Sequence, residues 1–423
     1  MDIFEIQGGK RLSGTTRVSG AKNAVLPLMA ASLLADGPVE IVGAPRLRDI
    51  STLGKVLEHM GASVERTEAD GDGRETVRID PRKIEKAEAP YDLVKTMRAS
   101  VLVLGPLAAR HGRARISLPG GCAIGARPID QHLKGLELLG ARTTLAEGYV
   151  EVDATKLRGC VIYFDMKTVT GTENLMMAAT LAKGTTLLKN AAREPEVCDL
   201  AKALRAMGAD IEGDGTDEIV VRGVASLRGI RHEVISDRIE ASTLLLAGAI
   251  TGGDVTVAGA DPAAMDAVLT KLQESGAEIT ASPGSVRVRR EGPIRSTNIE
   301  TSPYPGFPTD VQAQFMAYLC LGDGFCIVRE TIFENRFMHV AELRRMGAKI
   351  DVSGSTAAVK GVPSLSGAPL MATDLRASAS LVIAGLAAKG TTEVLRIYHL
   401  DRGYEALENK LSSLGARIAR VRE

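Results

Sequence analysis

The chain has 423 residues, 45% hydrophobic and 25% charged, with basic and acidic side chains balanced to a formal net charge of zero. That length exceeds what one hydrophobic core usually serves, so two domains are expected. Zero net charge, few aromatics and no Trp argue against a nucleic-acid binder, which needs a basic footprint and stacking platforms.

No apolar run approaches the roughly 18 residues of a membrane span, and Met1-Asp2-Ile3-Phe4-Glu5 has neither the basic nor the apolar region of a signal peptide. A cytoplasmic protein is expected. Its five cysteines (Cys122, Cys160, Cys198, Cys320 and Cys326) are odd in number and form no C-x-x-C pair, so free thiols are expected. The six histidines show no metal-ligand spacing, so neither a metal nor another cofactor is expected.

In chain order, the residues before Lys22 read as strand and are expected to pair with the C-terminal half. An apolar helix then runs into a turn and a strand at Leu33-Leu34-Ala35-Asp36-Gly37-Pro38-Val39-Glu40-Ile41. A second helix ends at Met60-Gly61-Ala62. Equivalent endings follow at Gly140-Ala141, Gly208-Ala209, Gly276-Ala277, Gly347-Ala348 and Gly415-Ala416, and a short β-type run follows each. The recurrence, at intervals of roughly 70 residues, gives six copies of a helix–strand–helix–strand unit, too long for an ordinary solenoid. Each glycine suits a left-handed helix terminus. Alternating helix and strand favour sheets packed on helices, in two groups of three, with a boundary near residues 230 to 236.

The first helix of each copy opens on a polar cluster. Ser19-Gly20-Ala21-Lys22-Asn23, Met97-Arg98-Ala99-Ser100, Thr170-Gly171-Thr172-Glu173-Asn174, Ser236-Asp237-Arg238, Pro308-Thr309-Asp310 and Thr373-Asp374-Leu375-Arg376 occupy these places. Ser, Thr and Asp there are good N-caps. Lys22, Arg98 and Arg376 are not, because a cation in the first turn opposes the helix dipole. An anion bound at the helix start would resolve the conflict.

The segment Pro119-Gly120-Gly121-Cys122-Ala123-Ile124-Gly125-Ala126-Arg127 sets a thiol among glycines and near an arginine. Arg127 can lower a thiol pKa or grip an anion, so the segment reads as a lid with a reactive cysteine. No P-loop, dinucleotide fingerprint or catalytic-triad signature is present.

These motifs, together with Ala192-Arg193-Glu194-Pro195-Glu196, Gly306-Phe307-Pro308-Thr309-Asp310 and Glu334-Asn335-Arg336-Phe337, resemble the bacterial UDP-N-acetylglucosamine 1-carboxyvinyltransferases of the enolpyruvyl transferase family. The resemblance runs along essentially the whole chain. It implies a two-domain inside-out α/β barrel with three units per domain. One domain spans residues 22–232, the other residues 1–21 plus 233–423, and the active site lies in the cleft between them. It also implies a reaction: transfer of the enolpyruvyl group of phosphoenolpyruvate to the 3′-hydroxyl of UDP-N-acetylglucosamine, releasing phosphate, the first committed step of peptidoglycan synthesis.

By resemblance, Cys122, Asp310, Lys22 and Arg402 are the catalytic residues. Asp310 is the base at the attacking hydroxyl, and Cys122 is a proton donor or covalent partner of phosphoenolpyruvate, and the target of the inhibitor fosfomycin. Lys22, Arg98, Arg127 and Arg402 hold the phosphoenolpyruvate anions, with Asn23, Arg336 and Arg376 lining the same place. UDP-N-acetylglucosamine is expected to meet Asn23, Arg98, Arg127, Pro128, Ile129 and Asp130, and further on His132, Lys167, Thr170, Gly171, Asp310 and Ile332. The stretch Thr168–Asn174 departs from the form seen in some members, so only its backbone contacts carry over. Three other readings stand beside this one: a shikimate-pathway relative, a nucleotide-sugar-binding homologue without catalysis, and a structural scaffold. The scaffold accounts for neither the cations at the helix starts nor the cysteine loop.

Overall fold

The computed structural model describes residues 2–68, 74–95, 97–117 and 129–422. Backbone contacts divide the chain into two units. One, here the N-terminal unit, holds the described residues between Gly20 and Ile235; the other, the C-terminal unit, joins residues 2–19 to residues 236–422.

Among the described residues each unit carries three four-stranded sheets of one pattern, in which an edge strand is parallel to its neighbour and the next two strands are antiparallel. In the N-terminal unit the orders are Arg231–Glu233, Val39–Ala44, Glu75–Asp80, Ser63–Glu68; then Glu88–Ala89, Arg113–Ser117, Tyr149–Asp153, Arg142–Ala146; then Val161–Tyr163, Thr185–Lys189, Glu218–Arg222, Asp210–Glu212. The edge strand of the first sheet comes from the far end of the unit, so the three copies close on themselves.

In the C-terminal unit the residues before Lys22 complete two sheets. Ser13–Arg17 is the parallel edge beside Asp254–Ala258. Asp2–Gln7 lies between Thr391–Leu395 and Arg417–Arg422, with Phe4 opposite Val394 and Arg420. Alternation sends Phe4 and Ile6 into the core, both fully buried.

Two kinds of helix pack on these sheets. Lys22–Ala31 and Val169–Ala179 in one unit, and Arg238–Ile250, Thr309–Leu319 and Leu375–Ala387 in the other, are buried along nearly their whole length. Such all-round apolar helices belong inside a core rather than on its surface. Arg48–Met60, by contrast, buries Ile50, Leu53, Val56, Leu57 and Met60 on one face, the spacing of an amphipathic helix. With helices inside and sheets outside, the fold is an inside-out α/β barrel, and each unit has its own hydrophobic core.

The six recurring glycines, Gly61, Gly140, Gly208, Gly276, Gly347 and Gly415, have φ of 109, 100, 113, 95, 93 and 94°. Any other L-residue would be strained in that conformation, which is why the sequence punctuates every copy with glycine. Among the described residues no helix is long and apolar enough to cross a membrane.

Candidate active site

In the C-terminal unit the structure gathers three of the expected residues. Asp310 is the second residue of helix Thr309–Leu319, and Arg376 the second of Leu375–Ala387. Arg376 Nη2 lies 2.9 Å from Asp310 Oδ2, and Arg336 Nη2 lies 2.7 Å from Asp310 Oδ1. Both guanidinium side chains are about nineteen-twentieths buried, whereas the carboxylate keeps 26% of its side chain exposed. Each oxygen therefore has one cation, and the carboxylate as a whole stays partly open to a ligand.

Burial alone would raise the Asp310 pKa. Arg376 and Arg336 outweigh it and hold the carboxyl well below the usual carboxylate range. The group is ionised at neutral pH, and both of its oxygens are hydrogen-bond acceptors. Asp310 is not the N-cap of its helix; Pro308 takes that place and makes no side-chain cap bond. Asp237 and Asp374 do cap theirs, accepting hydrogen bonds from the backbone N–H groups two and three residues on.

A buried polar network supports this arrangement. The Gln314 amide nitrogen donates to the Asp310 carbonyl at 2.8 Å and to Tyr404 Oη at 3.1 Å, and Tyr404 Oη is 2.9 Å from Thr243 Oγ1. The Arg376 guanidinium stands 5.4 Å from the Tyr404 ring centroid. Arg402 ends the short 3₁₀ helix Ile397–Arg402, two residues before Tyr404. Ile332 is exposed on the segment between Glu330 and Arg336.

In the N-terminal unit Lys22 opens helix Lys22–Ala31, where its charge conflicts with the helix dipole. Asp49 supplies part of the answer, with its Oδ2 3.2 Å from Lys22 Nζ in a buried pair. Asn23 is exposed while all other residues of that helix are buried, so its amide is available to a ligand. Gly20, just upstream, is fixed by close approach: a Cβ there would sit 2.1 Å from the Gly43 carbonyl oxygen.

His132 is buried in the same unit. Asn174 Nδ2 donates to His132 Nδ1 at 2.9 Å, which leaves the proton on Nε2, facing Thr170 Oγ1 at 3.3 Å. Burial depresses the ring to about 4, so it is neutral at physiological pH. Of the residues expected to meet a nucleotide sugar, the structure brings His132 and Thr170 into contact. Gly171 is buried one residue further on, Lys167 is half-buried just before the helix, and Ile129 and Asp130 lie at the start of helix Asp130–Leu138. Cys122, Arg127, Pro128 and the Arg98 side chain lie outside the described residues.

The sequence reading did not identify the partners. Asp49, Gln314, Tyr404 and Asn174 are ordinary residues until the fold brings distant segments together, 90 positions apart for Gln314 and Tyr404. Gln314 and Asn174 carry one local signal, a polar side chain in an otherwise apolar helix; Asp49 and Tyr404 carry none.

The family model of EPSP synthase (3-phosphoshikimate 1-carboxyvinyltransferase) matches residues 6–411. The chain is 62% identical to a UDP-N-acetylglucosamine 1-carboxyvinyltransferase of Anaeromyxobacter dehalogenans and 59% identical to that of Geobacter metallireducens, in each case over the whole of both chains. Among solved structures it is similar to the enolpyruvyl transferase NikO of Streptomyces tendae (28% identity, TM-score 0.88, 99% of both chains). An EPSP synthase from Acinetobacter baumannii (19% identity, TM-score 0.76, 100% of both chains) shares the fold.

Proposed function

Because the chain belongs to the EPSP synthase family of carboxyvinyltransferases, we propose that it transfers the enolpyruvyl group of phosphoenolpyruvate to the 3′-hydroxyl of UDP-N-acetylglucosamine, releasing phosphate, as the first committed step of peptidoglycan synthesis. One observation carries the choice of acceptor: 62% identity over the whole chain to a relative that bears that activity in its name. The shikimate-type reading rests on the family model's description and on a neighbour only 19% identical, a likeness of fold.

The acceptor hydroxyl adds across the enol double bond: its oxygen bonds the central carbon, its proton passes to Asp310, and the methylene carbon gains a proton. Elimination then breaks the carbon–phosphate oxygen bond, removes a proton from the new methyl group and frees inorganic phosphate. The oxocarbenium-like centre that develops as the methylene carbon is protonated calls for fixed negative charge nearby, and Asp310, ionised until it takes the acceptor's proton, supplies it. Lys22, Arg98, Arg127 and Arg402 hold the phosphate and carboxylate, with Arg336 and Arg376 beside them. Asn23, exposed at its helix start, meets the sugar. Cys122 delivers the proton to the methylene carbon or bonds phosphoenolpyruvate covalently. Both substrates are polyanions that do not cross a bilayer unaided, which supports a cytoplasmic site of action.

The test is phosphate release from phosphoenolpyruvate with UDP-N-acetylglucosamine, with shikimate 3-phosphate, and with neither. Release that requires the nucleotide sugar is expected. Release with shikimate 3-phosphate would move the protein to the sister activity, and no release with either would favour a binding protein. Cys122→Ala is expected to abolish covalent labelling by fosfomycin, read as intact mass. A label persisting on another thiol would reassign the reactive cysteine.

A further inference from the structure

Thr309 stands beside Asp310 at the start of its helix and touches two charged groups. Its hydroxyl is 2.8 Å from Glu330 Oε2 and 2.8 Å from Arg336 Nη1. A carboxylate only accepts and a guanidinium only donates, so the polarity is forced: Thr309 donates to Glu330 and turns its lone pairs to Arg336. Glu330 is 2% exposed. Its other oxygen accepts from Thr301 Oγ1 at 2.9 Å and from the backbone N–H groups of Ile332 at 2.8 Å and Phe333 at 3.2 Å. The Phe333 ring, placed by that turn, lies 5.1 Å from the Arg336 guanidinium. The second arm of Arg336 is the one on Asp310 Oδ1.

We propose that Glu330 and Thr309 are positioning residues for the transfer reaction, fixing the Arg336 guanidinium so that Asp310 presents its remaining lone pairs to the acceptor hydroxyl. An ionised carboxylate has about four lone-pair directions, of which the two arginines take one on each oxygen. Which directions stay open depends on the orientation of each guanidinium. Arg376 is braced by Tyr404 and Arg336 by Thr309, so both oxygens of Asp310 are aimed through a second residue. The inference rests on the enolpyruvyl transfer reading above.

Thr309→Val keeps the side-chain shape and removes the hydroxyl, while Thr309→Ser keeps the hydroxyl. Thr309→Val is expected to lower kcat for nucleotide-sugar-dependent phosphate release about tenfold, with Kd for UDP-N-acetylglucosamine, by calorimetry, within about twofold. Thr309→Ser is expected to recover kcat to within about threefold of wild type. Glu330→Gln, which retains the loop contacts of one oxygen, is expected to lower kcat in the same direction by a smaller factor. Wild-type kcat in Thr309→Val overturns the positioning role while leaving the reaction intact. So does a joint loss of kcat and binding that Thr309→Ser fails to recover. If Thr309→Val does not fold, wild-type kcat in a folded Glu330→Gln overturns the role. No release by the wild-type enzyme would overturn the reaction and this proposal together.

Discussion

Helices Val169–Ala179 and Thr309–Leu319 are counterparts in the two units, eleven residues each, with a buried amide at the sixth position. Asn174 ties its helix to the Val101 carbonyl, the Gly105 N–H and His132; Gln314 ties its own to Thr243 and Tyr404. The second positions differ: Thr170, neutral, against Asp310 with an arginine on each oxygen. The N-terminal helix does hold an acid, Glu173, but it is 1% exposed and its Oε1 has no hydrogen-bond partner among the described residues. Burial, with Glu196 and Glu194 nearby, pushes Glu173 well above the usual range, so it is neutral where Asp310 is ionised. One scaffold thus buries a carboxyl in two ways. Where cations are brought to it, the charge survives and stays partly open to a ligand; where they are not, the carboxyl becomes an uncharged part of the core.

Acid should act on both units alike. Burial lowers His132 and His339 to about 4; at His339, Asp374 opposes the shift and Arg336 adds to it. Between the ordinary histidine value of 6.5 and about 4 the unfolded chain takes up protons that the folded rings refuse. The stability contributed by these two rings is therefore full above 6.5 and is lost as pH falls across that window, by about 3 kcal/mol per group. Denaturant unfolding at pH 7 and pH 4.5 checks this. A flat response with Glu173, whose raised pKa acts in the opposite direction, replaced by Gln would mean that the rings are not held neutral.

Removing a cation should expose the asymmetry. Arg376→Met leaves Asp310 with Arg336 alone and is expected to destabilise the protein by about 3 kcal/mol, since a half-broken buried pair costs more than either complete arrangement. Urea unfolding measures it. A loss below 1 kcal/mol would show that water already screens the carboxylate.

The smallest expected effect has the opposite sign. Glu173→Gln supplies a neutral side chain of the same shape, and it should stabilise by about 1 kcal/mol at pH 7. The wild-type carboxyl, with its folded pKa raised, loses stability as pH climbs from its ordinary value toward the folded one, so the gain should shrink near pH 4.5. A destabilised variant would mean that Glu173 is charged and paired.

Much of this fold is readable along the chain. The six Gly-Ala endings mark the copies because a positive φ must be glycine wherever a helix stops that way. The apolar helices and the strands before Lys22 follow from periodicity. Lys22 and Arg376 drew attention because cations sit where helix starts disfavour them, and Asp310 through the family resemblance. The partners did not. Asp310 meets Arg336 across 26 positions and Arg376 across 66, and nothing local in either arginine says which carboxylate it holds. The Glu330–Thr309–Arg336 chain is hidden for the same reason, since Glu330 on its own reads as surface charge and proves to be 2% exposed. Sequence exposes conflicts with local rules; which group resolves each conflict is a matter of tertiary contact.

The most direct test of the central claim is Asp310→Asn, measured for phosphate release and for UDP-N-acetylglucosamine affinity on the same preparation. If the arginine-held carboxylate takes the acceptor's proton, kcat should fall about 10²- to 10⁴-fold while Kd changes little. Near-normal turnover, or a loss of binding with turnover intact at saturation, would contradict it.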